Sequence, residues 1–313
     1  MTPASAADAP AQAMTLGEAW IQTAQALARA ELDFGHGCAS ADDEAAWIVL
    51  HAAGLPATEA ARFAEHADGM LSAEQVAQVH AHTTQRIATR QPLAYVLGEA
   101  WLVGLRFSVD ARVIVPRSFI AELLDQGALD PWLPQAPQHV LDLCTGSGCL
   151  AILAALAWES ARVDAIDLSA DALAVAQINR AAYGLESRVQ LVASDLWSAC
   201  DPVRRYDLVL CNPPYVPAAS MASLPPEYRH EPAMALAGGD DGMDLIRRIL
   251  HGAAAHLSAE GVMVLEVGNE RAAFEAAFGQ LPAVWLETAL HPDAVCVLLA
   301  ADLRAAFSQA AGA

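Results

Sequence analysis

The sequence contains no lysine: each of its 17 basic residues is an arginine. That absence excludes chemistry built on an ε-amino group, namely a phosphate-loop lysine, a Schiff-base lysine and the strand lysine of protein kinases. Cysteine is sparse as well. Cys38, Cys144, Cys149, Cys200, Cys211 and Cys296 include no C-x-x-C pair, so neither a disulfide framework nor a zinc module is expected, and no metal. Residues 1–14 hold no arginine and no apolar leader core, and the most apolar stretch, 140–158, is broken by Asp142, Gly146 and Gly148. Neither a signal peptide nor a membrane span is therefore expected, and the cytoplasm is the expected compartment.

Opposite the 17 basic residues stand 37 acidic ones, a net charge of −20. Such a surface repels phosphate backbones, so direct nucleic-acid binding is not expected and a basic protein partner fits better. Hydrophobic residues at 55% against 17% charged set the chain apart from compositions that stay unfolded. Its 313 residues correspond to about two domains.

From 16 to 89 the pattern is alanine-rich and helical, with N-cap signatures at Thr15/Glu18, Ser40/Asp43 and Ser72/Gln75, and four or five short helices are expected. His80 and His82 lie two apart, which on a helix turns them to different faces and makes a shared metal ion improbable. From 93 to 115 the apolar period changes to two, the pattern of a β-hairpin. Proline-rich 131–137 then leads into the strongest strand, 139–144. Strand, glycine turn and apolar helix open a doubly wound α/β fold. The alternation continues with strands at 163–167, 189–193, 206–211 and 261–267, helices at 171–183, 243–256 and 271–278, and closing strands near 284 and 294–299.

The turn after the first strand reads Asp142-Leu143-Cys144-Thr145-Gly146-Ser147-Gly148. Glycines there let the backbone approach a ligand closely at a helix N-terminus. The run resembles the D-x-G-x-G-x-G loop of S-adenosylmethionine-dependent methyltransferases, with Cys144 in place of the first glycine. Asp167 ends the second strand, where a carboxylate can accept both hydroxyls of a ribose. Asp195 could reach an adenine amine, and Trp197 either covers the ring or belongs to the core. The most specific feature is Asn212-Pro213-Pro214-Tyr215, immediately after the fourth strand. A planar amide or amino nitrogen has a delocalised lone pair, and the Asn212 side-chain oxygen and the Pro213 carbonyl can each accept one of its two hydrogens. Tyr215 can lie on the flat face of the group. Charge developing on the nitrogen is stabilised at both hydrogens, so no strong base is needed, and His230 reads as a solvated loop histidine.

On these motifs the chain resembles the protein-glutamine N5-methyltransferase family over nearly its whole length. The resemblance implies an α/β, Rossmann-like class I methyltransferase with an N-terminal helical domain: 1–90 for substrate recognition, 91–115 as a hairpin linker and 116–313 as the catalytic domain. It implies S-adenosyl-L-methionine as cofactor and S-adenosyl-L-homocysteine as product, held by Asp142, Cys144, Thr145, Gly146, Ser147, Gly148, Asp167, Asp195, Trp197 and Asn212. Asn212, Pro213, Pro214 and Tyr215 would form the catalytic and substrate-binding turn, with Arg117 also facing substrate. Pro116-Arg117-Ser118-Phe119-Ile120-Ala121-Glu122-Leu123 resembles the P-R-S-P-I-A-E-L segment of the ribosomal-protein branch, with Phe119 for proline, more than the P-R-P-x-T-E of the release-factor branch. Tyr228-Arg229-His230-Glu231-Pro232 and Ala235 to Gly242 also resemble the former. The implied substrate is a glutamine of large-subunit ribosomal protein three, a basic protein. The rival readings are a release-factor methyltransferase, a nucleic-acid amino-methyltransferase, which the acidic charge disfavours, and an inactive binding subunit.

Overall fold

A computed structural model describes residues 13–289 and 291–307; the outer ends of the expected 1–90 and 116–313 spans lie outside the described residues. The described chain divides into two compact units, with the boundary between Trp101 and Leu102, inside the expected 91–115 segment.

The first unit is built by its caps. β1 (Met14–Thr15) leads into α1 (Leu16–Arg29), which starts with a complete Thr15/Glu18 capping box. α2 (Ala41–Ala53) starts from the Ser40 hydroxyl, which accepts the Asp43 amide, and ends at a left-handed Gly54. After α3 (Phe63–His66), β2 (Met70–Leu71) pairs antiparallel with β1. The Ser72/Gln75 capping box then opens α4 (Ala73–Thr89). Reciprocal caps of this kind satisfy amide groups that the first helical turn leaves unpaired. Arg86 of α4 is fully buried and makes a forked pair with Glu44 of α2, Nε to Oε2 at 2.9 Å and Nη2 to Oε1 at 3.0 Å. His80 is exposed, whereas His82 packs edge-on against His51 with ring centroids 5.5 Å apart.

The expected hairpin over 93–115 is shorter than its pattern. Pro92 and a left-handed Gly98 bracket a one-turn helix, α5 (Leu93–Leu97), whose Leu93 and Ala94 are buried. The two-stranded sheet consists of β3 (Glu99–Leu102) and β4 (Leu105–Ser108) alone. Its turn places Val103 and Gly104 at φ 43° and 80°, the two positive dihedrals of a type I′ turn. Val113 and Val115, expected on a strand, are buried in irregular chain after a tight turn in which Val113 N–H donates to the Asp110 carbonyl.

The second unit continues with α6 (Ile120–Asp125), β5 (His139–Leu143), α7 (Cys149–Ala157), β6 (Arg162–Asp167), α8 (Ala170–Ala182), β7 (Val189–Ala193) and β8 (Tyr206–Cys211). It closes with α9 (Ala218–Ser223), α10 (Asp244–His256), β9 (Leu257–Glu266), α11 (Arg271–Phe278), β10 (Val284–Leu286), β11 (Val295–Leu299) and α12 (Ala300–Phe307). Seven strands form one sheet in the order β10-β11-β9-β8-β5-β6-β7, with β11 antiparallel to both neighbours and the run from β9 to β7 parallel. Alternate strand residues face two cores. Val140, Val163, Leu208 and Val264 meet α6 and α7 on one side, while Leu141, Ile166, Val209 and Leu265 meet α10, α11 and α12 on the other. Strands buried on both faces read as continuous apolar runs, as these do. The chain runs outward from β5 through β6 to β7, then returns to β8 on the other side of β5. That reversal opens a crevice at the carboxyl ends of β5 and β8, where ligands of such sheets bind.

Candidate active site

The loop between β5 and α7 is shaped by three left-handed residues, Cys144 at φ 64°, Gly146 at 55° and Gly148 at 80°. The first explains why a glycine suits position 144: a side chain there is held in a conformation costing roughly 1–2 kcal/mol. At Gly148, the N-cap of α7, a Cβ would lie 3.1 Å from the Ala176 Cβ, so α7 and α8 approach closely. A Cβ on Gly146 would meet Val113 at 3.4 Å, which locates the buried 113–115 segment over the loop. The Ser147 carbonyl accepts from Asn179 Nδ2 at 2.9 Å.

Two carboxylates hold this loop. Asp142 is buried; its Oδ2 accepts the Thr145 hydroxyl at 2.5 Å and the Ala151 amide at 2.9 Å, while its Oδ1 is a buried acceptor that no described protein atom engages. Burial pushes its carboxyl up to about 7, against the opposing pull of those two hydrogen bonds. Asp167, at the end of β6, accepts the Gly146 amide at 2.9 Å on one oxygen and the Ser169 amide at 2.8 Å on the other. Burial raises its carboxyl as well, with the backbone amides opposing. It lies beside Leu168, which is 61% exposed. An apolar side chain left open at a strand end beside a carboxylate is one the sequence reading missed, and its signal was only its position after Asp167.

Asp195 and Trp197, which follow β7, differ in their surroundings. One oxygen of the exposed Asp195 carboxylate pairs with Arg248 at 2.7 Å. Trp197 is taken into the core on α10. Its indole N–H donates to the Ile249 carbonyl at 3.1 Å, its ring stacks on His256 at 4.7 Å, and a Cβ on Gly252 would fall 2.1 Å from it. Of the two readings of Trp197, the packing agrees with the core one: the indole fills the space that Gly252 leaves open.

At the end of β8, beside the loop that follows β5, stands Asn212-Pro213-Pro214-Tyr215. The strands are in register, Leu143 opposite Cys211, and the Cys211 thiol, raised by burial, is hydrogen-bonded to Cys144. Among the described residues none engages the partly buried Asn212 amide, so its oxygen and NH₂ remain available to a ligand. Pro213 is buried and Tyr215 partly so. The chain after Tyr215 is clamped: Val216 N–H donates to the Leu236 carbonyl and Gly238 N–H donates back to the Val216 carbonyl, both at 2.8 Å.

Arg117 is paired within the second unit. Its guanidinium donates to both oxygens of Glu231, at 2.6 and 2.7 Å, and lies over the Tyr228 ring at 5.5 Å. Glu231 is fully buried and further accepts the Val115 amide at 2.9 Å. Burial opposes the charge on Arg117, yet Glu231 outweighs it and the guanidinium is held more basic than usual. These contacts close the 115–117 turn onto Glu231. Glu266, at the end of β9, was also missed. It accepts the Ser118 hydroxyl at 2.6 Å and the Phe119 amide at 2.9 Å. An acidic residue ending an apolar strand is the signal that found Asp167, and Val262 to Glu266 carries it too.

A mostly parallel sheet with this strand order and a glycine loop after its central strand is the class I methyltransferase fold, and residues 116–223 match the family described as "Methyltransferase small domain". Three relatives carry the name "Ribosomal protein uL3 glutamine methyltransferase". The Burkholderia pseudomallei protein is 53% identical over 89% of this chain and 92% of its own length. That of Bordetella pertussis is 52% identical over 89% and 92%, and that of Neisseria gonorrhoeae 46% identical over 83% and 85%. The chain belongs to the ribosomal protein uL3 glutamine methyltransferase family.

Proposed function

We propose that this chain transfers a methyl group from S-adenosyl-L-methionine to the side-chain amide nitrogen of a glutamine in ribosomal protein uL3. The relatives' shared name supports the substrate. The observation that carries the chemistry is the Asn212 amide, partly buried at the end of β8 and engaged by no described residue.

The residues of the β5 and β6 ends fit the cofactor. Gly146 and Gly148 carry no side chain that would stand between the turn's backbone and a ligand, Asp167 keeps acceptor capacity for two hydroxyls beyond its two amide bonds, and Leu168 offers an apolar surface beside it. Cys144 to Gly148, Asp167 and Asn212 hold the cofactor, with Asp142 bracing the loop and the second oxygen of Asp195 available at the rim. Bound there, S-adenosyl-L-methionine supplies an electrophilic methyl on a sulfonium and is released as S-adenosyl-L-homocysteine.

The protein's own task is orientation. The Asn212 side-chain oxygen accepts one hydrogen of the glutamine NH₂ group and the Pro213 carbonyl the other, which orients the nitrogen lone pair toward the sulfonium methyl. Tyr215 lies on the flat face of the amide. Both acceptors stabilise the positive charge that develops on nitrogen, more in the transition state than before it. The spare proton then passes to water. The helical unit and the 116–123 segment supply recognition of the peptide, and the acidic chain attracts a basic ribosomal protein in the cytoplasm, where such proteins are made. Among the described residues no helix is long and apolar enough to cross a membrane.

The test is transfer of labelled methyl to separately purified uL3, a release factor and ribosomal RNA, with the modified residue located by mass spectrometry. Label on a glutamine of uL3 alone is expected; label on either of the others overturns the reading. Asn212→Ala should lower kcat by about a hundredfold with cofactor affinity retained, whereas Asp167→Ala should weaken cofactor binding first, by about tenfold or more.

A further inference from the structure

Tyr215 sits in a seat that only glycines leave open. A Cβ on Gly268 would stand 2.6 Å from ring atom Cε2 and 2.8 Å from the phenol oxygen. On the backbone side, a Cβ on Gly238 would fall 2.6 Å from the Tyr215 Cα, and one on Gly242 would fall 2.4 Å from its carbonyl oxygen. The one polar end of this seat is Glu266, whose Oε1 accepts the phenol at 3.4 Å. The carboxylate is itself fixed, because its Oε2 is occupied by the Ser118 hydroxyl and the Phe119 amide at 2.6 and 2.9 Å.

We propose that Glu266 is a positioning residue for methyl transfer: through the phenol of Tyr215 it holds that ring in the orientation that meets the substrate amide. The inference rests on the reading of Asn212 to Tyr215 as the amide site. Glu266 touches no reacting atom: Oε1 acts through Tyr215, while Oε2 holds the Ser118 hydroxyl and the Phe119 amide.

The charged and titratable groups around Glu266 are Arg117 from the segment before α6, Tyr215 and Cys211 from the end of β8. Burial raises its carboxyl to about 7, while Ser118, the Phe119 and Ile120 amides and Arg117 favour the charged form. Oε2 already takes two short hydrogen bonds, so a proton goes to Oε1, the oxygen that accepts the phenol. Below neutral pH that oxygen is no longer a charged acceptor, and its hold on the phenol weakens.

The experiment measures kcat against pH for methylation of uL3 by wild type, Glu266→Gln, Tyr215→Phe and the double variant, with S-adenosyl-L-homocysteine affinity by calorimetry at each pH. Wild-type kcat should fall about tenfold from alkaline to acidic pH, the scale of one hydrogen bond to a charged group. Glu266→Gln, which cannot ionise, should stay near the acidic plateau throughout, and adding Tyr215→Phe should slow it no further, since two residues acting through one contact are non-additive. Homocysteine-product affinity should match wild type at every pH. A Glu266→Gln profile that still follows pH like wild type, multiplying losses in the double variant, or lost product affinity overturns the inference alone. A wild-type enzyme that leaves uL3 unmethylated overturns the functional reading, and this inference with it.

Discussion

Replacing Arg117 by alanine should destabilise the second unit rather than weaken substrate binding. Glu231 is completely buried and accepts the guanidinium through two bonds, at 2.6 and 2.7 Å, with the Val115 amide as a third donor at 2.9 Å. Removing one member of a buried pair costs about 3–5 kcal/mol, because the other charge stays in a medium that cannot solvate it. The Arg117 side chain is 23% exposed, so water can follow into the space it vacates, and the loss should lie near the lower end, about 3 kcal/mol. Against a domain stability of about 5–15 kcal/mol that is a large fraction. Urea titration followed by circular dichroism should show the midpoint falling by about 1 M, given a slope of about 2–3 kcal/mol per M for a unit of this size. Arg117→Ala/Glu231→Gln should recover part of the loss, since no buried charge then remains. An Arg117→Ala protein as stable as wild type, with KM for uL3 raised tenfold, would refute the reasoning and return Arg117 to the substrate.

Further outcomes follow from the same contacts. Asp142 and Glu266 both stand at about 7 when folded, against about 4 in an unfolded chain. The folded state thus binds more protons than the unfolded one between about pH 4 and 7, so the ligand-free protein should lose stability as pH rises through that window and level off above it. Asp142→Asn, which keeps an acceptor for Thr145 and Ala151, should flatten part of that slope in urea titrations run at several pH values; an unchanged slope would mean that Asp142 ionises normally. Gly148→Ala places a Cβ 3.1 Å from Ala176 at a φ of 80° and should cost about 2 kcal/mol in thermal unfolding, with weakened cofactor binding. Glu44→Ala strips the fully buried Arg86 of its forked partner and should cost the helical unit about 3–5 kcal/mol, read as loss of helical ellipticity at lower urea.

The sheet was legible because its strands are buried on both faces. The apolar runs expected at 189–193 and 206–211 are β7 and β8 residue for residue, and 139–144 and 163–167 differ from β5 and β6 by one residue at an end. The glycine loop, Asp167 and Asn212 were legible because each is set by its place at a strand end. What was not legible depends on partners far along the chain. Trp197 is drawn into the core by Ile249, 52 residues away, and Arg117 is claimed by Glu231, 114 residues away. Local pattern contains neither fact. Residues 93–97 failed for another reason: five residues between Pro92 and Gly98 form a single helical turn, too short for a period of 3.6 to be told from a period of two.

Four carboxylates gather at the functional end of the sheet, and each does the same mechanical job. Asp142 accepts the Ala151 amide, Asp167 the Gly146 and Ser169 amides, Glu231 the Val115 amide and Glu266 the Phe119 amide. Irregular backbone has no ladder to satisfy its amides, and a carboxylate supplies a strong acceptor that also fixes where the loop lies. Burying these groups is unfavourable: burial raises the carboxyls of Asp142, Asp167 and Glu266, and Glu231 is paired with Arg117. The arrangement places the loop after β5, the 113–119 segment and the turn after β8 in fixed relation before any ligand arrives. Methyl transfer to an amide nitrogen needs such placement more than it needs a base, because the nucleophile is poor and the reaction gains chiefly from alignment and from acceptors waiting at its hydrogens. The anchoring carboxylates therefore matter to the proposed site as much as the turn they hold.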